Sequence, residues 1–205
     1  VAQVDQRIGL SEDELVGIIG EYDGLMIRSG TQVTATVIAA ANRLKIIGRA
    51  GVGVDNVDVP AATQRGVLVV NSPEGNTIAA AEHALAMMLS LSRHVPQANA
   101  GMRAGKWDRK KYVGNELYKK TLGVVGLGKI GSHVAKVAQA MGMDVIAYDP
   151  FIAADRAKQM QVKLIELDEL FRTADYVTLH IPRTKDTENL VNADLLRTMK
   201  PTARI

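Results

Sequence analysis

Residues 121–131 read Thr121-Leu-Gly-Val-Val-Gly-Leu-Gly-Lys-Ile-Gly131, an apolar run that breaks into glycines at 126, 128 and 131. The chemistry open to such a stretch is the holding of a diphosphate. Where backbone must pass close to phosphates, a side chain is a steric obstacle. Gly126 permits a tight turn, Gly128 a close approach, and Gly131 a helix packed against its strand. The N–H groups and the positive end of the helix dipole then face the anion. A second strand, Val145-Ile-Ala-Tyr148, ends in Asp149, eighteen positions after Gly131. A carboxylate there can accept hydrogen bonds from the ribose of a dinucleotide, and it would repel a 2′-phosphate, which favours NAD over NADP. Glycine spacing alone is a weak signal. The apolar residues 122–125 before it and the helical periodicity of Ile130, Val134, Val137, Ala138 and Met141 after it strengthen it.

These residues need elements to carry them. Ser11-Glu-Asp-Glu14 is a capping box that opens a helix toward Ile19. Strands are expected at 25–27, 44–47 and 67–70, and Thr34 and Asp58 cap the helices between them, with Pro60 in the first turn of the second. That βαβαβ pattern argues for a small parallel sheet. A long helix follows from Thr77 to near Arg93, with Ala81, Ala84, Leu85, Met88, Leu89 and Ser92 on one face, and Pro96 restarts it toward Ala104. A polar connector then leads to strand 121–126, helix 129–141, strand 145–148, helix 155–160, strand 162–164, helix 167–173, strand 176–179 and helix 192–199. The expected organisation is two α/β units, 1–72 and 73–205, with a cleft between them for ligands.

Bulk composition narrows the classes. With 25 basic and 22 acidic residues the net charge is +3, and no basic run with interleaved aromatics suggests a nucleic-acid partner. No apolar run is long enough to span a membrane and no signal peptide is visible, so a cytoplasmic location fits. The absence of cysteine excludes disulfides and thiolate zinc sites. Among the four histidines, His83 and His133 lie within helices, His94 precedes a helix break and His180 follows a strand. No pair has the helical spacing of a metal site, so no metal is expected. The chain begins at Val1 rather than Met and stops at Ile205 as a strand begins, which suggests a piece of a longer protein.

Four further motifs stand in a recognisable order: Ile27-Arg-Ser-Gly-Thr31, Gly48-Arg-Ala-Gly-Val-Gly-Val-Asp-Asn-Val-Asp58, Asn71-Ser-Pro-Glu-Gly-Asn76 leading into Ala80-Ala-Glu-His83, and Gly105-Lys-Trp-Asp-Arg-Lys-Lys111. With the glycine turn and His180-Ile-Pro182, they resemble the D-2-hydroxyacid dehydrogenase family across essentially the whole chain. The segment 107–111, followed by Gly114-Asn-Glu-Leu117, is similar to the phosphoglycerate branch. The resemblance implies an α/β fold: a Rossmann-type nucleotide-binding domain and a smaller flavodoxin-like substrate domain lacking its first strand and helix, both incomplete here. It implies NAD as cofactor and oxidation of 3-phospho-D-glycerate to 3-phosphooxypyruvate, the entry step of serine synthesis. Gly126, Gly128, Lys129, Ile130, Gly131, Asp149, Ile181 and Pro182 are the implied cofactor-binding residues.

Arg28, Ser29, Arg49, Val52, Gly53 and Asn76 are the implied substrate-binding residues. The two arginines sit where α/β sheets place ligands, and a guanidinium grips an oxyanion through parallel bonds. Val52 replaces a hydroxyl residue of some relatives, so only its backbone would contribute. Arg109 and its lysine neighbours are a solvated turn or a phosphate contact across a dimer interface. The family's catalytic arginine, glutamate and histidine would fall beyond Ile205, so the 205-residue chain is expected not to turn over. The implied partners are a phosphorylated 2-hydroxy acid and further copies of the chain, as a homodimer or homotetramer through the long helices. Two other readings stay open: a hydroxypyruvate or glyoxylate reductase of the same family, and a non-enzymatic corepressor of the C-terminal-binding-protein type built on the same fold.

Overall fold

The computed structural model describes residues 3–205. They form two compact units that divide between Asn76 and Thr77 rather than after position 72, because the turn at 72–75 stays with the first sheet. In the first unit, α1 (Glu12–Ile19) starts at Ser11, whose hydroxyl accepts from the Glu14 N–H while the Glu14 carboxylate takes the Ser11 N–H. This is the expected capping box. There follow β1 (Gly24–Ile27), α2 (Ala35–Ala40) capped by Thr34, β2 (Ile46–Arg49), α3 (Val59–Gln64) capped by Asp58, and β3 (Leu68–Asn71).

The three strands are parallel in the order β1-β2-β3, with Met26, Gly48 and Val70 in one row and Ile27, Arg49 and Asn71 in the next. The second strand lies two residues later than its expected 44–47. Leu44 is buried in the core cluster but lies outside the strand pairing, and Gly48 is part of the ladder rather than the turn. One face of this sheet carries the core of Ile27, Ile47, Val37, Ile38, Leu15, Ile19 and Ala62. On the other face Met26, Ile46, Leu68 and Val70 are exposed.

The second unit opens with α4 (Thr77–Ser92) and α5 (Val95–Arg103), separated at His94, which takes the left-handed φ of 53° just before Pro96. The connector is not wholly irregular: a 3-10 turn occupies Arg109–Tyr112. Then come β4 (Thr121–Val125), α6 (Lys129–Ala140), β5 (Asp144–Tyr148), α7 (Ala154–Gln159), β6 (Lys163–Leu164), α8 (Leu167–Thr173), β7 (Tyr176–Leu179) and α9 (Ala193–Arg197). The sheet is parallel in the order β6-β5-β4-β7, the 3-2-1-4 half of a dinucleotide-binding sheet. Arg204 extends it by pairing beside Tyr176.

Alternation along β4 sends Leu122 and Val124 into a core with α4, α6 and α7, and Val125 into one with α8 and α9. Gly123 lets α8 close in, since a Cβ there would lie 2.5 Å from Leu170 Cδ2. On α4, Ala81, Leu85 and Ser92 are buried as expected, but Leu89 is exposed together with Ile78, Met87 and Leu91. Ser92 tolerates burial because its Oγ lies 2.6 Å from Met88 O and 2.8 Å from Tyr176 Oη. No helix among the described residues is long and apolar enough to cross a membrane.

Candidate functional site

In the second unit the site forms at the carboxyl edge of the sheet, where β4 hands over to α6. Gly126 takes φ +91°, a conformation that strains any side chain, and a Cβ there would meet His180 O at 2.7 Å and Ile181 Cγ2 at 2.8 Å. Gly131 lies against the same turn, with its missing Cβ 2.0 Å from Gly126 O. Both glycines are therefore required by the protein's own packing. Gly128 differs. It has φ −65° and open space within 4 Å of its absent Cβ. Nothing in the protein demands a glycine there, and that is the position assigned to the close approach of a pyrophosphate. Gly128 is also the N-cap of α6 and brings no side-chain cap, so the N–H groups of Ile130 and Gly131 in the first turn receive none from it. Lys129, in the same turn, is exposed. Such a cradle fits the diphosphate of a dinucleotide.

Asp149 holds the turn from the side. One carboxylate oxygen accepts the Leu127 N–H at 2.7 Å, and the other accepts those of Phe151 and Ile152 at 2.9 and 3.1 Å. Its first role is thus a clip between the glycine turn and the loop after β5. An ionised carboxylate has about four acceptor positions, so about one remains for a ribose hydroxyl. From sequence only the ribose role was visible, because the clip needs a backbone N–H twenty-two residues away. Ser132 adds a second tie, donating to Leu127 O at 2.8 Å. Ile181 packs over Gly126, and Pro182 follows it, exposed, with its carbonyl accepting the Thr187 hydroxyl at 2.6 Å. His180 is half-buried, its Nε2 3.0 Å from Thr178 Oγ1, and burial holds its imidazole below the usual pKa, in favour of the neutral ring.

The first unit has its own carboxyl edge, built differently. All three strands end there: β1 before Arg28, β2 at Arg49 and β3 at Asn71. Arg28 and Ser29 are exposed, and Arg49 is partly buried. The Arg49 guanidinium folds over the following turn, so that a Cβ on Gly51 would lie 2.3 Å from its Nη1. Within that turn, Ala50 N–H donates to Ile27 O and Gly51 N–H to Arg49 O, which removes both from ligand binding. Among the described residues the N–H groups of Val52 and Gly53 find no acceptor and can face an oxyanion. Asn71 Nδ2 donates to Val52 O at 2.6 Å and Ser72 N–H to Gly51 O at 3.0 Å, tying the third loop to the second. Asn76 is exposed at the end of that loop.

Sequence reading missed Asn56 and Asn71. Asn56 is 4% exposed and bonds the first loop to the second. The only sequence signal was an amide side chain embedded in a glycine-rich motif, which does not say where the amide points. Among the described residues no group of three metal-ligating side chains comes together.

Residues 85–205 match the family model described as D-isomer specific 2-hydroxyacid dehydrogenase, NAD binding domain. The chain is 65% identical, over all of its length, to the D-3-phosphoglycerate dehydrogenase of a Synechocystis species, and covers 37% of that protein. It is 51% identical to the enzyme of the same name from Archaeoglobus fulgidus, with 97% of this chain and 38% of that protein covered. Among solved structures it is similar to a Thermus thermophilus protein, at TM-score 0.88 and 35% identity over 97% of this chain and 63% of the other. It is also similar to the NAD+-bound 3-phosphoglycerate dehydrogenase of Entamoeba histolytica, at TM-score 0.76 and 30% identity over 94% and 57%. The chain spans 37–38% of the length of those two curated relatives. Its parallel sheets, its glycine cradle and these matches agree: the chain belongs to the D-isomer specific 2-hydroxyacid dehydrogenase family.

Proposed function

We propose that the protein carrying this chain oxidises 3-phospho-D-glycerate to 3-phosphooxypyruvate with NAD, in the serine-forming direction. The observation that carries this reading is the 65% identity, end to end, with a phosphoglycerate dehydrogenase. The reaction belongs to the whole protein, of which these residues supply the holding surfaces. NAD, when bound, accepts the hydride leaving C2 of the substrate. Gly126, Gly128, Lys129, Ile130 and Gly131 receive the pyrophosphate. Asp149 spends its remaining acceptor on the ribose, and Ile181 and Pro182 flank the adenine. On the first unit, Arg49 and the amides of Val52 and Gly53 hold one anionic end of the substrate, with Arg28, Ser29 and Asn76 on the same rim. Two anionic ends, carboxylate and phosphate, suit a surface rich in arginine and unpaired amides.

Copies of the chain associate in this reading through α4 and α5, whose exposed Ile78, Met87, Leu91, Val95 and Met102 are more apolar than a solvent-facing helix pair needs. A cytoplasmic location accords with a metabolic role. The test is an assay of the full-length protein with NAD and D-glycerate, with and without the 3-phosphate. Phosphate-dependent NADH formation is expected. Equal use of the unphosphorylated acid would move the protein to the hydroxypyruvate reductase side of the family, and NAD binding without turnover would move it to the corepressor class.

A further inference from the structure

Asn56 is one of only two buried polar side chains among the described residues, and the reading above gives it no role. Both of its donors and its oxygen are engaged. Nδ2 donates to Arg28 O at 2.9 Å and to Thr31 O at 2.6 Å, while Oδ1 accepts the Arg49 Nε–H at 3.2 Å. The orientation of the amide is fixed by chemistry. A flipped group would set its oxygen against two carbonyl oxygens and its NH2 against a guanidinium. The two carbonyls of the β1 loop therefore force Oδ1 to face Arg49. An arginine held at Nε keeps its two Nη groups for an oxyanion, and loses the freedom of a long side chain before the ligand arrives. The glycine at 51 clears the space that this guanidinium occupies, since a Cβ there would clash with Nη1 at 2.3 Å.

We propose that Asn56 is a positioning residue: it takes its own orientation from the Arg28–Thr31 loop and passes it to the Arg49 guanidinium, presetting that fork for an anionic group of the substrate. The inference rests on the proposed role of Arg49 in substrate binding. It also explains how the loops after β1 and β2 can act as one surface, because a single amide bonds to both.

The test uses the full-length protein and two substitutions that divide the bonds. Asn56→Asp keeps an acceptor for Arg49 but turns an oxygen toward two carbonyls. Asn56→Ala removes all three bonds. Both lower thermal stability. The alanine variant is expected to raise the KM for 3-phospho-D-glycerate about tenfold or more while leaving the KM for NAD unchanged, since a lost bond to a charged group has that weight. The aspartate variant is expected to recover most of that loss. In an Arg49→Ala background, Asn56→Ala should cause no further rise in KM. In the full-length protein, NMR should show the Arg49 Nε–H protected from exchange in the native protein and in Asn56→Asp. Equal KM increases for Asp and Ala, in step with their stability loss, would overturn the proposal, as would an unprotected Nε–H in the native protein. If Arg49→Ala itself leaves the substrate KM unchanged, it is the reading of Arg49 that fails, and the NMR result still decides whether Asn56 fixes the side chain.

Discussion

In the proposed reading the two carboxyl edges of this chain prepare for anions by opposite means. The second unit uses absence: Gly126 and Gly131 let backbone meet backbone, and Gly128 leaves a gap at the end of α6. The first unit uses side chains: Asn56 and Asn71 lace three loops together and hold Arg49 over its turn. In the proposed reading the difference follows from what each edge would hold. A diphosphate that lies against a helix end needs proximity to N–H groups, and any side chain would push it away. A small free acid needs a charge brought to it at a fixed angle, which requires a long side chain and something to brace it.

The comparison breaks most violently at Gly131. Gly131→Val would drive a side chain into Gly126 O, where even a Cβ lies at 2.0 Å. The turn must open, and NAD affinity should fall by more than about a hundredfold, with thermal stability falling too, since overpacking costs about 1–3 kcal/mol. Titration calorimetry with NAD beside a melting curve checks both.

Asp149 is where the glycine edge borrows the method of the other, a side chain bracing a loop. Asp149→Asn would keep the acceptor for Phe151 and Ile152 but present NH2 to the Leu127 N–H. NAD affinity should fall about tenfold, on the scale of a hydrogen bond to a charged group. Amide exchange at Leu127 should quicken even without NAD. Faster exchange with unchanged affinity would leave Asp149 a clip and nothing more.

The smallest effect concerns His180. Its folded-state pKa is depressed by burial, so the unfolded chain binds the proton more readily. Stability should then be unaffected above about pH 6.5 and decline as the pH falls below it, by less in His180→Gln than in the native protein. Melting temperatures between neutral and mildly acidic pH measure this. A native protein that loses no more than the variant would remove His180 from the account.

How much of this was legible beforehand also divides along the two edges. The glycine turn could be read from spacing because its structure is local: strand, turn and helix are contiguous in sequence. The helix caps at Ser11, Thr34 and Asp58 were legible for the same reason. The second strand was placed two residues early because Leu44 is buried for a tertiary reason that periodicity cannot distinguish from pairing. Arg49 is singled out by its place in a motif, but its brace is not. Asn56 reaches the carbonyls of Arg28 and Thr31, 28 and 25 residues earlier, and nothing in residue type predicts that meeting. Likewise Asp149 was assigned to a ligand when most of its acceptors serve the fold. Long-range side-chain-to-backbone bonds are the part that the sequence conceals.

In the proposed reading Gly128, unlike Gly126 and Gly131, is a glycine for the ligand and not for the protein. Gly128→Ala tests it directly, with NAD affinity and thermal unfolding measured on the same preparation. Its φ of −65° suits alanine and nothing lies within 4 Å of the added methyl, so stability should change by no more than about 1 kcal/mol, the weight of glycine over alanine at an N-cap. NAD affinity should nevertheless fall at least about tenfold, because the methyl takes the space the pyrophosphate needs. An alanine variant that binds NAD as tightly as the native chain would contradict the account.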